Sequence, residues 1–138
     1  SVDARRADIG AVNLRPALGL DAAQPGWSAK HGPVDVILLA NLLHLITLPQ
    51  ANTVLDEIAA ALAPGGIALI YGPFLRDGET TSDGDAAFDA QIRRDMPGCG
   101  YKDVITVTAQ LVAGGLRHVD TTRMPANNLL LAFERPTK

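Results

Sequence analysis

Six polar residues could do chemistry if the fold brings them together: Asn41, His44, Tyr71, Arg123, Asn127 and Asn128. An imidazole accepts or passes a proton near neutrality and a phenol steers one. Asparagine amides and a guanidinium fix the orientation of a bound molecule. Known catalytic signatures are missing around them: the sequence has no Gly-x-Ser-x-Gly elbow, no Walker loop and no His-Glu-x-x-His run. Each residue also has a structural role open to it. His44 alone suits a capping or half-buried histidine, and Asn41 can bond loop backbone. Asn127-Asn128 after Pro125 suits a turn, because asparagine tolerates positive φ. Asp83, Asp85 and Asp89 lack the spacing of a calcium loop and read as a solvated face. Gly98-Cys99-Gly100 is an isolated Gly-x-Gly, and Cys99 has no evident base beside it.

Strands must end where these residues begin. Val34-Asp-Val-Ile-Leu-Leu-Ala40 is a nearly continuous apolar run with β-branched members, as expected for a strand buried on both faces. Ile67-Ala-Leu-Ile-Tyr71 is a second such strand. Between them, Asn41 to Gln50 reads as a loop or short helix with Pro49 as a boundary, and Asn52 to Leu62 as an amphipathic helix. Its apolar face carries Val54, Leu55, Ile58 and Leu62. Thr53-x-x-Asp56 fits a capping box, and Pro64-Gly65-Gly66 stops the helix. Strand, helix and strand make a βαβ unit.

Upstream, residues 1 to 15 read as a helix tail and loop, and Ala17 to Asp21 as a short strand before a turn-rich stretch. Downstream, a helix contains Phe88 and Ile92. Asp103 to Ala113, with apolar residues at 104, 107 and 111, favours a second helix closed by Gly114-Gly115. Leu116 to Thr122 and Leu129 to Glu134 read as a closing antiparallel hairpin around Met124-Pro-Ala-Asn-Asn128. In open parallel sheets, ligands bind beyond the carboxyl ends of the strands. Asn41 and His44 follow the first strand, and Tyr71 to Phe74 follow the second. If the last strand is antiparallel, the 123–128 connection joins them at the same edge.

Composition sets the frame. The 138 residues are 47% hydrophobic and 20% charged, which excludes disorder and predicts a single α/β domain over residues 1–138. A net charge of −3 argues against a general nucleic-acid or anionic-membrane binder. No apolar run approaches the ~20 residues of a membrane span. Ser-Val-Asp-Ala-Arg-Arg is not a signal peptide, and the single cysteine excludes an intrachain disulfide or cysteine-based zinc site, so a cytoplasmic protein is expected.

Taken in order, several stretches resemble one family. They are Asn13-Leu-Arg-Pro16 with Leu20-Asp21, Asp35 with Ala40-Asn-Leu-Leu-His44, Leu62-Ala-Pro-Gly-Gly66 and Tyr71-Gly-Pro-Phe74. Phe88-Asp89, Gly100-Tyr-Lys-Asp103, Gly115-Leu116 and Met124-Pro-Ala-Asn-Asn128 follow. The pattern is similar to small class I S-adenosylmethionine-dependent methyltransferase-like proteins, long catalogued as a domain of unknown function. The resemblance implies a partial Rossmann-like class I methyltransferase sheet ending in an antiparallel hairpin. It places Asp21 near the cofactor's adenine and Asn41-Leu42 along the cofactor cleft. His44 and Tyr71 become the candidates for handling the proton of a small-molecule acceptor, with Phe74, Arg123, Asn127 and Asn128 as its wall. No metal is implied.

The family begins with a strand and Gly-rich loop for the methionine part of S-adenosylmethionine, and then an acidic residue for the ribose. This sequence contains neither, so it reads as the carboxyl-terminal portion of the domain, with weak or no cofactor binding and no turnover. Gly84-Asp85 replaces a usual Ser-Asn, Cys99 a Trp and Lys102 an Arg, which predicts a looser substrate wall. A non-enzymatic binding or assembly module is the alternative. A nicotinamide-dependent Rossmann enzyme is disfavoured by Tyr-Gly-Pro-Phe and the terminal hairpin. The family's strand order, 3-2-1-4-5-7-6, leaves the edge of strand 4 (Val34 to Ala40) to be covered by Ala17 to Asp21 or by a second copy in a two-fold dimer.

Overall fold

The computed structural model, which describes Val12–Asn13 and residues 22–137, is built on a sheet of five strands. In chain order the first elements are β1 (Val12–Asn13), α1 (Trp27–His31), β2 (Val34–Ala40), a 3-10 turn at Leu43–Leu45, α2 (Leu48–Ala61) and β3 (Leu62–Gly72). Then come α3 (Asp83–Asp95), α4 (Val104–Ala113), β4 (Arg117–Met124), a second 3-10 turn at Pro125–Asn127 and β5 (Asn128–Glu134).

Strands lie in the order β1-β2-β3-β5-β4. β2 and β3 are parallel, joined through α2, and β5 runs antiparallel between β3 and β4. This is the 4-5-7-6 portion of the order that the resemblance implies. At the other edge, Val12 and Asn13 pair antiparallel with Leu39 and Leu38. The edge of β2 is therefore covered for two residues by a segment further upstream than Ala17 to Asp21, which lie outside the described residues.

One sheet face carries Ile37, Leu39, Ala68, Ile70, Leu129, Leu131 and Phe133, all buried in the main core with residues of α2 and α4. α2 contributes Ala51, Val54, Leu55 and Ile58, spaced as one helical stripe, and α4 contributes Val107 and Leu111. The opposite face alternates with it, as strand geometry requires. There Val36 is 58% exposed and Ile67 is 42% exposed.

Two expected boundaries need correction. α2 starts at Leu48, not Asn52, because Thr47 and Gln50 form the capping box: the Thr47 hydroxyl accepts from Gln50 N, and Gln50 Oε1 accepts from Thr47 N. Pro49 then sits in the first turn, where its missing N–H costs nothing. Pro64-Gly65-Gly66 does not separate helix from strand either. It forms an irregular opening of β3, with Gly65 at φ 80° donating to Arg135 O and Gly66 O accepting from Arg135 N. A Cβ on Gly66 would stand 3.0 Å from the Asp35 carbonyl, so β2 and β3 approach closely only because glycine is there. Arg135 also donates to the Leu62 and Ala59 carbonyls, placing a cation at the carboxyl end of α2.

Candidate functional site

The carboxyl ends of β2 and β3 and the β4–β5 connection form one polar edge. Asn41, at φ 56°, donates its backbone N–H to Tyr71 O at 2.9 Å. The Tyr71 hydroxyl in turn accepts from Asn128 Nδ2 at 3.0 Å. Next along the chain, Ala126 and Asn127 both adopt positive φ, which turns the Asn127 amide outward from the hairpin. Its Nδ2 donates to Asp85 Oδ2 at 2.6 Å and to Thr81 Oγ1 at 2.7 Å. Arg76 Nη2 donates to the Asn127 carbonyl at 3.0 Å. Asn41, Tyr71, Asn127 and Asn128 are thus brought together.

His44 joins through aromatic contacts. Its ring stands edge-on to Phe88 at 5.8 Å and to Tyr101 at 5.9 Å, and Phe88 and Tyr101 meet at 6.2 Å. The Tyr101 hydroxyl donates to Asp85 Oδ1 at 2.7 Å, which links this cluster to Asn127. Leu42 packs partly buried against the main core, and Phe74 is buried within it beneath this edge. Arg123 stands apart, exposed and without a hydrogen bond or ion pair among the described residues. Asp21 lies outside the described residues.

Asp83 is exposed as expected, but Asp85 and Asp89 are not part of a solvated face. Ser82 caps the helix and Asp85 accepts from its hydroxyl, from Tyr101 and from Asn127. One turn later, Asp89 accepts from Tyr101 N and pairs with Arg93 at 3.0 Å. Burial alone would raise the Asp85 carboxyl. Hydrogen bonds from Tyr101, Asn127 and Ser82, with the charge of Arg76, outweigh it and hold the group below the usual carboxylate range. Burial and then the Asp85 hydrogen bond push the Tyr101 phenol up.

Lys102 is only 9% exposed and donates Nζ to the Ile46 and Gly100 carbonyls at 2.6 and 2.7 Å. It ties the segment after His44 to the loop after α3. Burial and the Lys102 cation lower His44 to about 4, leaving a neutral imidazole at neutral pH. The sequence reads Asp85 and Asp89 as a solvated face and Lys102 as a replaced wall residue, and gives Tyr101 no role of its own. The available signal was spacing: aspartates four apart share one helix face. Tyr101→Phe removes one donor from a carboxylate and should cost about 1 kcal/mol. In an NMR pH titration the Asp85 carboxyl should move up toward its ordinary value, and an unmoved carboxyl would contradict this geometry.

Comparison with known proteins now bears on the edge. A family pattern described as a protein of unknown function (DUF938) matches residues 1–135. The chain belongs to the DUF938 family. Solved methyltransferase structures share this DUF938 fold. An O-methyltransferase family protein from Burkholderia thailandensis aligns with a TM-score of 0.74 at 19% identity, over 87% of this chain and 35% of that one. An O-methyltransferase family 2 protein from Planctomyces limnophilus, solved with apigenin, gives 0.66 at 23% identity over 75% and 31%. Human N-acetylserotonin methyltransferase, solved with SAM, gives 0.67 at 15% identity over 87% and 33%. The DUF938 chain spans about a third of the length of each of these proteins. Its sheet is a partial Rossmann-like class I methyltransferase fold.

S-adenosylmethionine, the cofactor this fold implies, fits the described residues only in part. Its methionine end needs a turn of several glycines after a strand, where backbone N–H groups can approach closely. Among the described residues, β3 ends on the single Gly72 before Pro73, and Gly98 and Gly100 follow α3 rather than a strand. Asn41 and Leu42, which the resemblance puts along the cofactor cleft, directly follow β2.

Proposed function

We propose that this DUF938 chain is the carboxyl-terminal part of an S-adenosylmethionine-dependent methyltransferase-like domain and does not turn over by itself. One observation carries the reading: antiparallel β5 lies between β3 and β4. A nicotinamide-type Rossmann sheet would continue parallel at that edge. The reversed strand instead delivers Asn127 and Asn128 to the edge that holds Asn41 and Tyr71.

In a whole domain the cofactor supplies an electrophilic methyl group, with its adenosine against Asn41 and Leu42. A small-molecule acceptor then meets Tyr71, Asn127 and Asn128: Asn128 already orients the Tyr71 hydroxyl, and Asp85 and Thr81 orient the Asn127 amide. Orientation of the acceptor is where class I transfer gains much of its rate. His44, neutral and buried, acts as a weak proton acceptor or as a positioning residue through Phe88 and Tyr101. A non-enzymatic binding module is the second reading, favoured by the exposed apolar Val36 and Ile67 on the open sheet face.

NMR titration of the chain with S-adenosylhomocysteine tests this. Micromolar affinity needs about −8 kcal/mol of net contacts, more than one wall supplies. The expected result is weak binding, unsaturated at micromolar ligand, with amide shifts centred on Asn41 and Leu42. A dissociation constant at or below the micromolar range would mean that the chain holds a whole cofactor site. No response at Asn41 would leave the binding module.

A further inference from the structure

A concavity lies between α4 and the edge strand β4, beside the Asn41–Asn128 edge, with Arg76 reaching both. Its volume is about 650 Å³, within the size range of small-molecule sites. Val104, Ile105, Ala109 and Val112 of α4 supply one wall, and Leu129 the floor. Ile105 is 60% exposed and Val112 48% exposed, an uncommon share of solvent for large apolar side chains on a helix that also feeds the core. Three groups that can carry positive charge line the same groove, Arg76, His118 and Arg123, and no acidic residue does.

The three side chains are not equally committed. His118 Nε2 is within 2.8 Å of Thr121 Oγ1. Arg76 holds the Asn127 carbonyl through Nη2 and lies within the electrostatic reach of Asp85. Its Nε, however, is buried without any hydrogen-bond partner among the described residues. An unpaired buried N–H is a standing cost that an acceptor oxygen would remove. The Arg123 side chain makes no hydrogen bond or ion pair among the described residues.

We propose that this groove binds an amphipathic organic carboxylate, a free small molecule with its carboxylate between Arg76 and Arg123 and its apolar chain along Ile105, Ala109 and Val112. Guanidinium groups suit carboxylates because their N–H fork matches the two oxygens. Direction follows from the topology. Arg123 sits near the end of β4, paired with Leu129, whereas His118 sits near its start. From Ile105 to Val112 the helix rises about 10 Å, the reach of an extended chain of roughly eight carbons. The inference needs no methyl transfer: Asn41, Tyr71 and Asn128 do not line the groove, and Arg123, expected in the acceptor wall, faces the groove instead.

Octanoate and its uncharged analogue n-octanol, titrated separately into the chain and followed by amide NMR shifts, test the assignment. Octanoate should saturate, with shifts at Ile105, Val112 and Arg123. Arg123→Gln should weaken octanoate about tenfold while leaving octanol within about twofold, the signature of a lost charge-assisted contact. Ile105→Glu should weaken both. Both positions are exposed, so both variants should keep the wild-type circular dichroism spectrum. No saturation by about 10 mM octanoate would overturn the proposal. So would shifts centred on Val36 and Ile67, an equal loss of acid and alcohol in Arg123→Gln, or self-association that Ile105→Glu abolishes.

Discussion

Phe133→Ala should destabilise the chain by about 3–5 kcal/mol, the range for a large aromatic removed from a packed core. Phe133 has no exposed surface and sits on β5, paired with Ala68 of β3 on one side and His118 of β4 on the other. Its ring lies 5.2 Å from that of His118, so the truncation opens a cavity and strips a cross-strand contact together. Total stability for a domain of this size is about 5–15 kcal/mol, so about a fifth or more would be lost. Urea unfolding should show the midpoint falling by about 2 M with the slope unchanged. A loss under about 1 kcal/mol would mean that β5 is not the inner strand described here. Phe88→Ala is the contrast. Phe88 is 43% exposed, so the same chemical change should cost under about 1 kcal/mol while removing the edge contacts to His44 and Tyr101.

Acidification should unfold the chain partly through His44. The imidazole titrates near 6.5 in the unfolded chain and at about 4 in the folded one, lowered by burial and by the Lys102 cation. Between those values the unfolded state holds a proton that the native state does not, so falling pH favours unfolding. Nothing is lost from this group above pH 6.5. The loss grows to about 2 kcal/mol near pH 5 and about 3 kcal/mol by pH 4, below which both states are protonated. His44→Gln removes the titrating group. The difference in unfolding free energy between wild type and variant should be constant above pH 7 and shift by that amount in acid. A difference that stays flat from pH 7 to pH 4 would place His44 in solvent rather than beneath Phe88 and Tyr101.

Strand positions were legible in the sequence because burial repeats with the pitch of the backbone. The 104/107/111 spacing of α4 states locally which side is apolar, and α4 and the closing hairpin stand where expected. The Val34–Ala40 run marks its strand but not its burial: it reads as buried on both faces, whereas only the Ile37 and Leu39 side is covered and Val36 is exposed. The strand-end rule likewise brought Asn41, Tyr71, Asn127 and Asn128 to one edge, since a reversed last strand leaves its connection no other place. Competing turn chemistry hid the start of α2: Thr47 and Gln50 cap it, and Pro49, read as a boundary, is tolerated in the first turn.

What the tertiary structure alone decided is the pairing of polar groups from distant segments. Asp85 meets Asn127 across 42 residues, and Lys102 reaches the Ile46 carbonyl across 56. Arg76 and Arg123 come to share a groove with the outer side of α4 in the same way. Periodicity encodes how much of a side chain is buried, which is a local quantity. The partner of a buried charge is set by where the loops carry it, and its free energy depends on the few ångströms between donor and acceptor that no spacing along the chain records.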